Sequence, residues 1–393
     1  MPESPVSARK TPRPLSAFRR AEAMSHDLSQ LPGKGPSYFD DVKLAGLLSK
    51  ESIEEQIQWL RRLDVDSYIQ RVVNPSENQK RLSSAEVIQQ LGGNLIQEEI
   101  EGPLYLAEVE FQIGALKRRI GFVAQDHRTQ HGTWDPKHHR RAADKLGFFA
   151  IHGMPVVTFI DTPGAVATAE ANLDNQSHSI SFLIAEMANL QLPTVGIVFG
   201  AGYSGGAIPL ATTNVLLATK DGVFNTIHPK GLSNIARKYN LSWQECAKFM
   251  GVSSYELYSS GYFDGIIDFS LDQPGKISHL REAILSGIEI TEQSARLFLK
   301  ENSFLFDHYK ENIGHYLNPS ELQIIANRRT HKPPTGTLNV FGSAYRFMRG
   351  LKMRQKIQSE SLKNYSRLSS KTAKTPIGTL TERIEQERQE NSA

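Results

Sequence analysis

Two short segments of this chain combine an apolar, β-branched run with a glycine turn that could bind negative charge. Residues 154–165 read MPVVTFIDTPGA and residues 192–207 read LPTVGIVFGAGYSGGA. Because Gly164, Gly205 and Gly206 have no side chain, a ligand oxygen can approach the main chain closely, and free N–H groups at a helix start favour negative charge. The pattern predicts oxyanion holes built from backbone N–H groups.

The residues around these turns indicate which elements position them. Runs rich in Val, Ile and Thr that open with Pro155 or Pro193 and close with glycine are typical of strands buried on both faces. A helical stretch between them, residues 176–190, predicts parallel α/β units with both turns at strand ends. Ser204 is expected to cap the second helix, and Pro209 is expected to distort its first turn.

The composition is that of an ordinary globular protein. The chain has 393 residues, of which 39% are hydrophobic and 22% are charged. This length predicts one large domain with appended elements, or two domains. No apolar stretch approaches the roughly 20 residues that a membrane helix needs, and no secretory signal pattern is evident, so we expect a cytoplasmic protein without membrane contact.

Cysteine and histidine give little support for a metal site. The single cysteine, Cys246, excludes an intrachain disulfide and a cysteine-based zinc site within this chain, and its helical context predicts a buried structural thiol. Twelve histidines include the adjacent pair His138 and His139. Because adjacent helical residues point in different directions and no carboxylate completes a ligand spacing, we expect no metal ion here.

The net charge of +3 conceals a local basic segment. Residues 346–374 hold nine Lys or Arg and one acid, Glu360. Such a run is more often a solvated tail than a binding surface, and a solvated tail is our expectation. Binding of an acidic partner such as nucleic acid or phosphate stays open as the alternative.

Changes in periodicity and composition divide the chain into four segments. They are a disordered basic leader at residues 1–36, a helical region at 37–95, an α/β domain at 96–290 and a helical, basic extension at 291–393. A transit peptide is a weaker interpretation of the leader.

Local patterns in the helical region predict how one helix begins and which face it buries. Ser52 with Glu55 is predicted to form a capping box. Ile53, Ile57 and Leu60 are predicted to share one apolar face.

In the α/β domain, residues 103–125 alternate apolar and polar side chains, which predicts a half-buried hairpin. One helix is predicted to end at Gly153, just before the first apolar strand. Another is predicted to begin with a capping box of Ser242 and Glu245 and to end at Gly251.

Several short motifs together resemble the α subunit of bacterial acetyl-CoA carboxylase carboxyltransferase. They include TFIDTPGA at residues 158–165 and SGGA at 204–207, and the matches run without a gap from Pro136 to about Gly231. The resemblance implies an α/β, crotonase-like fold, which is a spiral of ββα units, here with helical N- and C-terminal extensions.

The same resemblance implies a reaction in which carboxybiotin gives its carboxyl group to acetyl-CoA, so that malonyl-CoA forms. Negative charge develops on the biotin urea oxygen and on the thioester enolate, and both are oxyanions. Backbone N–H groups can stabilise them without a side-chain nucleophile.

The resemblance assigns roles to nine residues. The catalytic donors would be the N–H groups of Gly205 and Gly206, with Ala207 adjacent, completed by Gly164 or Ala165. The substrate-binding residues would be Arg140, Gly202, Tyr203 and Ser204.

The resemblance also implies partners. They are a zinc-ribbon carboxyltransferase β subunit, a biotin carboxyl carrier protein that bears the carboxybiotin, and a second copy of this chain within an α2β2 assembly. The acyl-CoA would be acetyl-CoA or another acyl-CoA, and the metal would belong to the β subunit because this chain has no four-cysteine ribbon.

The sequence departs from the family at two places. Residues 166–175 read VATAEANLDN where the family has a Tyr-Pro-Gly turn and an acidic, Arg-containing segment, and HPKG at 228–231 replaces SPEG. The first change leaves the acyl-CoA, and activity itself, open. Asp161 is expected to cap a turn rather than to act as a base, and His178 and His228 are expected to have structural or solvent roles.

Two other function classes stay open. A self-sufficient crotonase-like acyl-CoA decarboxylase, hydratase or hydrolase would work without biotin or a β partner. A non-catalytic scaffold or nucleic-acid-binding protein would use the basic segment at residues 346–374.

Overall fold

A computed structural model describes residues 44–272, 274–301 and 340–358. The predicted leader and most of the predicted basic extension lie outside these residues, and the four-segment division stays a prediction. Within the described ranges, no helix combines the length and apolar character needed to cross a bilayer.

The N-terminal region is helical, as predicted. It contains α1 (Lys50–Arg61), α2 (Val65–Tyr68), a π-helical turn (Ile69–Val73), α3 (Asn74–Glu77) and α4 (Ser84–Gln90). The predicted apolar face of α1 is confirmed, because Ile53, Ile57 and Leu60 are buried.

The predicted capping box of α1 is wrong by three residues. The N-cap is Ser49, whose hydroxyl accepts the N–H of Ser52 at 3.2 Å, so Ser52 and Glu55 lie inside the helix. Ser49 is as good a cap as Ser52, and local sequence cannot choose between two serines three residues apart.

Three antiparallel strands follow: β1 (Asn94–Glu101), β2 (Leu104–Ile113) and β3 (Leu116–Gln125). The predicted hairpin of β2 and β3 is confirmed, whereas the edge strand β1 was not predicted. The hairpin is more than half buried, because only its tip is exposed. Glu108, on its polar side, is buried and pairs with Lys145 of the following helix at 3.3 Å.

The central elements alternate helix and strand. They are α5 (Pro136–Ile151), β4 (Val156–Thr162), α6 (Ala169–Leu173), α7 (Gln176–Asn189), β5 (Thr194–Tyr203), α8 (Ser204–Ala207), β6 (Val215–Ala218) and β7 (Val223–Asn225). All residues of β4 and β5 are buried, which confirms the prediction of strands covered on both faces.

The remaining described elements are mostly helical. They are α9 (Pro229–Ile235), α10 (Trp243–Met250), α11 (Ser254–Ser259), β8 (Gly265–Ile266), α12 (Ile277–Glu301) and α13 (Val340–Gln358). The predicted capping box of Ser242 and Glu245 and the stop at Gly251 are confirmed, with Gly251 at φ 63°. Gly153, after α5, likewise has φ 65°.

The strands form one mixed sheet in the order β1-β2-β3-β4-β5-β6-β8, parallel from β3 onward. The long strand β5 has two parallel partners on one side: β6 along Val195–Val198 and β7 along Ala201–Tyr203. Helices α4 and α12 cover one face of the sheet, and α5 and α7 cover the other. The α/β class predicted from sequence is confirmed.

The start of the basic segment is buried, so the expectation of a solvated tail is wrong for this part. All side chains from 342 to 350 on α13 are buried, and Arg346 and Arg349 are 0% exposed. Arg349 donates hydrogen bonds of 2.7–3.1 Å to the carbonyl oxygens of Met187, Ala188, Leu190 and Leu192. The guanidinium thus satisfies carbonyls at the C-terminal end of α7, where the helix dipole favours positive charge.

We predict that Arg349→Met lowers the free energy of unfolding by about 3 kcal/mol, because several buried carbonyls lose their donor. Urea denaturation followed by circular dichroism measures this loss. Arg141→Met is the control, since Arg141 forms a half-exposed pair with Glu99 and should lose less than about 1 kcal/mol. Equal losses in the two variants would contradict a structural role for Arg349.

Candidate active site

The two predicted glycine turns meet at one edge of the sheet. They follow the adjacent parallel strands β4 and β5, whose last pair is Thr162 with Gly202. A Cβ on Gly206 would lie 2.6 Å from the carbonyl carbon of Gly164 and 2.7 Å from the nitrogen of Ala165. The two corners are therefore in backbone contact, and only glycine fits at position 206.

The first corner, after β4, is held by Thr162. Its hydroxyl accepts the N–H of Gly164 at 3.1 Å and donates to the carbonyl of Gly164 at 2.7 Å. Gly164 has φ 147°, a conformation that favours glycine. The next helix along the chain, α6, begins only at Ala169. Among the described residues, the N–H of Ala165 has no hydrogen-bond partner, whereas that of Gly164 is used within the turn.

The second corner, after β5, is a sharp turn into a very short helix. Ser204 has φ 59°, which is unusual for a residue with a side chain. The predicted capping role of Ser204 is wrong: Ser204 is the first residue of α8, and the N-cap is Tyr203, without a side-chain bond. The helix ends at Ala207, two residues before Pro209, which has no N–H to donate to the carbonyl of Gly205. The predicted distortion of the first turn stays a prediction.

This turn leaves two backbone donors free. In a helix that begins at Ser204, the N–H of Ala207 is the first that can bond within the helix, to the carbonyl of Tyr203. The N–H groups of Gly205 and Gly206 come before it in the first turn, so they have no i−4 partner within the helix. Among the described residues, neither donates to a loop or turn outside the helices and strands. Ile180 of α7 borders them, with its Cδ1 3.3 Å from where a Gly205 Cβ would lie.

A buried ion pair lies behind the corners. Arg81 donates to both carboxylate oxygens of Asp161, at 2.8 and 2.5 Å, and Asp161 also accepts the N–H of Ala201 on β5 at 3.2 Å. Any side chain at Gly200 would collide with Arg81 and Asp161. The structural role expected for Asp161 is supported, although it ties β4 to β5 instead of capping the turn.

The surroundings of Asp161 keep it ionised. His127 adds a third contact, with its Nδ1 3.2 Å from Asp161 Oδ2 and 3.1 Å from Arg81 Nη1. Burial alone would raise the pKa of Asp161, but the Arg81 charge and the hydrogen bonds from His127 and Arg81 outweigh burial and hold the pKa below its ordinary value. A general base of near-neutral pKa is therefore absent at this position.

Sequence reasoning missed Arg81, His127 and Gln125. Gln125, the last residue of β3, donates from Nε2 to the carbonyl of Gly206 at 2.8 Å and accepts the N–H of Asp161 at 3.0 Å. All three are single polar residues outside any motif. For Gln125 the sequence offers one signal, a polar side chain at the end of a buried strand, which needs a hydrogen-bond partner.

The four predicted substrate-binding residues have different surroundings. Ser204 is half-buried at the second corner. Tyr203 is fully buried among apolar residues of the N-terminal helices, and Gly202 is packed against Phe224 and Ile160. These two positions therefore serve packing, and only Ser204 and the exposed Arg140 remain available to a ligand.

A cavity of about 580 Å³ lies beside the first corner. The start of α5, at Asp135 and Lys137, forms one wall, and the divergent residues 166–174 form the other. Arg140 bridges the two walls through Asp174, with Nη2 2.7 Å from the carboxylate. Gly205 and Gly206 do not line this cavity, so the divergent loop and the free N–H groups are separate features.

The remaining candidates have structural surroundings. Cys246 is buried, as predicted. His228 caps α9 by accepting the N–H of Lys230 at 3.2 Å, and His178 stacks on Phe182. Among the described residues, no group of three His, Cys, Asp or Glu side chains could hold a metal ion.

Comparison with known proteins agrees with this geometry. Residues 117–294 match the family model described as acetyl co-enzyme A carboxylase carboxyltransferase-like. These residues are similar to that family, and we call them the carboxyltransferase-like domain. The α/β class predicted for the domain agrees with its mixed sheet, which is parallel from β3 onward.

The domain has relatives among acetyl-coenzyme A carboxylase carboxyl transferase α subunits. The Francisella philomiragia subunit is 32% identical over 184 residues, which cover 44% of this chain and 58% of that protein. The Fusobacterium nucleatum subunit is 34% identical over 140 residues, which cover 36% of this chain and 45% of that protein. The chain thus spans about half the length of these relatives.

Two solved structures are similar to the chain at low sequence identity. Transcarboxylase 12S with methylmalonyl-coenzyme A bound has a TM-score of 0.48 and 17% identity, covering 70% of this chain and 51% of that one. The β subunit of Pseudomonas aeruginosa geranyl-CoA carboxylase has a TM-score of 0.45 and 14% identity, covering 67% and 55%.

In the carboxyltransferase-like domain, a buried histidine supports the first corner. The backbone carbonyl of Trp134 accepts hydrogen bonds from the N–H of Val166 at 3.0 Å and from the side-chain amide of Gln176 at 3.2 Å. His139 packs edge-on against the Trp134 ring, 5.5 Å between centroids. Burial lowers the pKa of His139 to about 4.

We predict that His139 makes the domain acid-sensitive. Between pH 6.5 and 4 the unfolded chain binds a proton on this histidine that the folded chain excludes, so the free energy of unfolding falls as the pH drops through this range. The loss amounts to about 3 kcal/mol at its acidic end. Urea titrations at several pH values on wild type and His139→Gln measure it. Identical pH dependence in the two proteins would refute the prediction.

Proposed function

We propose that this chain is the α-type subunit of an acyl-CoA carboxyltransferase. It would move a carboxyl group from carboxybiotin, carried on a separate protein, to acetyl-CoA or another acyl-CoA. The observation that carries the proposal is the backbone contact between the two corners, which brings the free N–H groups of Ala165, Gly205 and Gly206 into one neighbourhood.

These donors suit a reaction that develops negative charge on oxygen. Loss of the carboxyl group from carboxybiotin leaves charge on the urea oxygen. The N–H groups of Gly205 and Gly206, with that of Ala165 opposite, would donate to such an oxygen. Because they are fixed before the reaction, they stabilise the charge without reorganisation.

The partners belong to the proposal as well. A zinc-ribbon β subunit would supply the acyl-CoA side of the site, and a biotin carboxyl carrier protein would deliver the carboxyl group. Two copies of this chain would assemble with two β subunits in the cytoplasm.

Reconstitution tests the proposed function directly. The purified chain is mixed with its cognate β subunit, a carboxylated biotin carrier and a series of acyl-CoA esters, and transfer of labelled carboxyl group is measured. We expect transfer that requires all three components. Turnover without biotin would favour an acyl-CoA decarboxylase, hydratase or hydrolase, and inactivity with every ester would refute the proposal.

We predict that Gly206→Ala lowers kcat for transfer at least about 100-fold, because its Cβ pushes the two corners apart and misplaces the donors. Gly275→Ala is the matched control, since a Cβ at Gly275 meets no atom within 4 Å. Co-purification with the β subunit checks that both variants assemble. Full transfer by Gly206→Ala would place the anion site elsewhere.

A further inference from the structure

Gln125 contacts both corners of the candidate site with one side chain. Its Oε1 accepts the N–H of Asp161, the residue before the first corner, at 3.0 Å. Its Nε2 donates to the carbonyl of Gly206 in the second corner at 2.8 Å. The side chain is 0% exposed, so both bonds are shielded from water.

The carbonyl of Gly206 needs this donor because α8 is too short to supply one. In a longer helix this carbonyl would accept the N–H of Leu210. The helix ends at Ala207, and among the described residues the N–H of Leu210 makes no backbone bond to the carbonyl of Gly206. The amide of Gln125 therefore takes the place of the missing helical bond.

This bond restrains a part of the chain that is otherwise free to rotate. Consecutive glycines at 205 and 206 have the widest choice of backbone angles, so their N–H groups have no intrinsic direction. Since the peptide bond is planar, holding the carbonyl of Gly206 fixes the peptide unit of Gly206 and Ala207. This unit directly adjoins the one that carries the N–H of Gly206.

Gln125 is itself rigidly placed. It ends β3, where it pairs with Leu104 of β2, and its own carbonyl accepts the Ser84 hydroxyl at 2.6 Å. A residue anchored on a strand can hold a turn more accurately than a residue on a loop.

We propose that Gln125 is a positioning residue that sets the N–H groups of Gly205 and Gly206 against that of Ala165. The proposal rests on the proposed function, in which those three groups stabilise the oxyanion. Gln125 does not touch the substrate; it acts through the carbonyl of Gly206 and the N–H of Asp161.

The test replaces Gln125 by methionine, which has a similar length and neither hydrogen-bonding group. We expect Gln125→Met to lower kcat for carboxyl transfer about 100-fold, with KM for the acyl-CoA changed less than twofold, since donors that face the developing charge act in the transition state. Asn189→Leu is the control, because Asn189 is also buried and donates to a backbone carbonyl, that of Ala185, at 2.8 Å.

Two outcomes would overturn the proposal: a kcat for Gln125→Met within threefold of wild type, or an equal fall in Asn189→Leu. A second measurement compares backbone amide chemical shifts of Gly205 and Gly206 in wild type and Gln125→Met. We expect them to move, and unchanged shifts would also overturn the proposal. If wild type transfers no carboxyl group, the proposed function fails, and the shifts alone then decide whether Gln125 positions the turn.

Discussion

The rest of the candidate site depends on one close contact between two stretches of backbone. Gly206 lies against Gly164 and Ala165 at a distance that no Cβ could occupy. Adjacent strands in a sheet are only about 4.8 Å apart, so turns at the ends of β4 and β5 must either diverge or pack without side chains. Here they pack, because glycine at the contact has no side chain. The free donors of Gly205 and Gly206 have a separate cause, since they are the first N–H groups of α8.

A buried ion pair of Arg81 and Asp161 supports this contact. The pair contributes more to the placement of β4 against β5 than to the free energy of unfolding. Removing Arg81 and Asp161 from water costs free energy that their attraction only partly returns. Their bidentate pair nevertheless fixes the end of β4 against β5 through the N–H of Ala201. Arg81 lies outside the residues that match the family model, 117–294. The N-terminal helical region is therefore part of the support of the carboxyltransferase-like domain, since one of its side chains completes the ion pair.

The fold was predictable from sequence where local pattern and burial agree, as at β4 and β5, whose continuous apolar runs are compatible only with two covered faces. The resemblance correctly located both corners. Predictions failed where a distant contact decides the outcome. Arg349 was predicted to lie in a solvated basic tail, because the sequence does not show that it donates to carbonyls at the end of α7. Ser204 was predicted to be a cap, but α8 begins at Ser204 itself and its N-cap is Tyr203. Gln125 has no pattern at all, because its two partners are 36 and 81 positions away.

The divergent loop does not weaken the proposed anion chemistry, because it occupies a different part of the site. Residues 166–174 line the cavity beside α5, whereas the free N–H groups of the second corner belong to Gly205 and Gly206. The loop is tied down by Trp134 at its start and by Arg140 at Asp174. A change in this loop would therefore alter the shape and charge of the cavity while the corners keep their contact. Under the proposed function, such a change alters which acyl-CoA or partner surface is accepted and leaves the oxyanion donors in place.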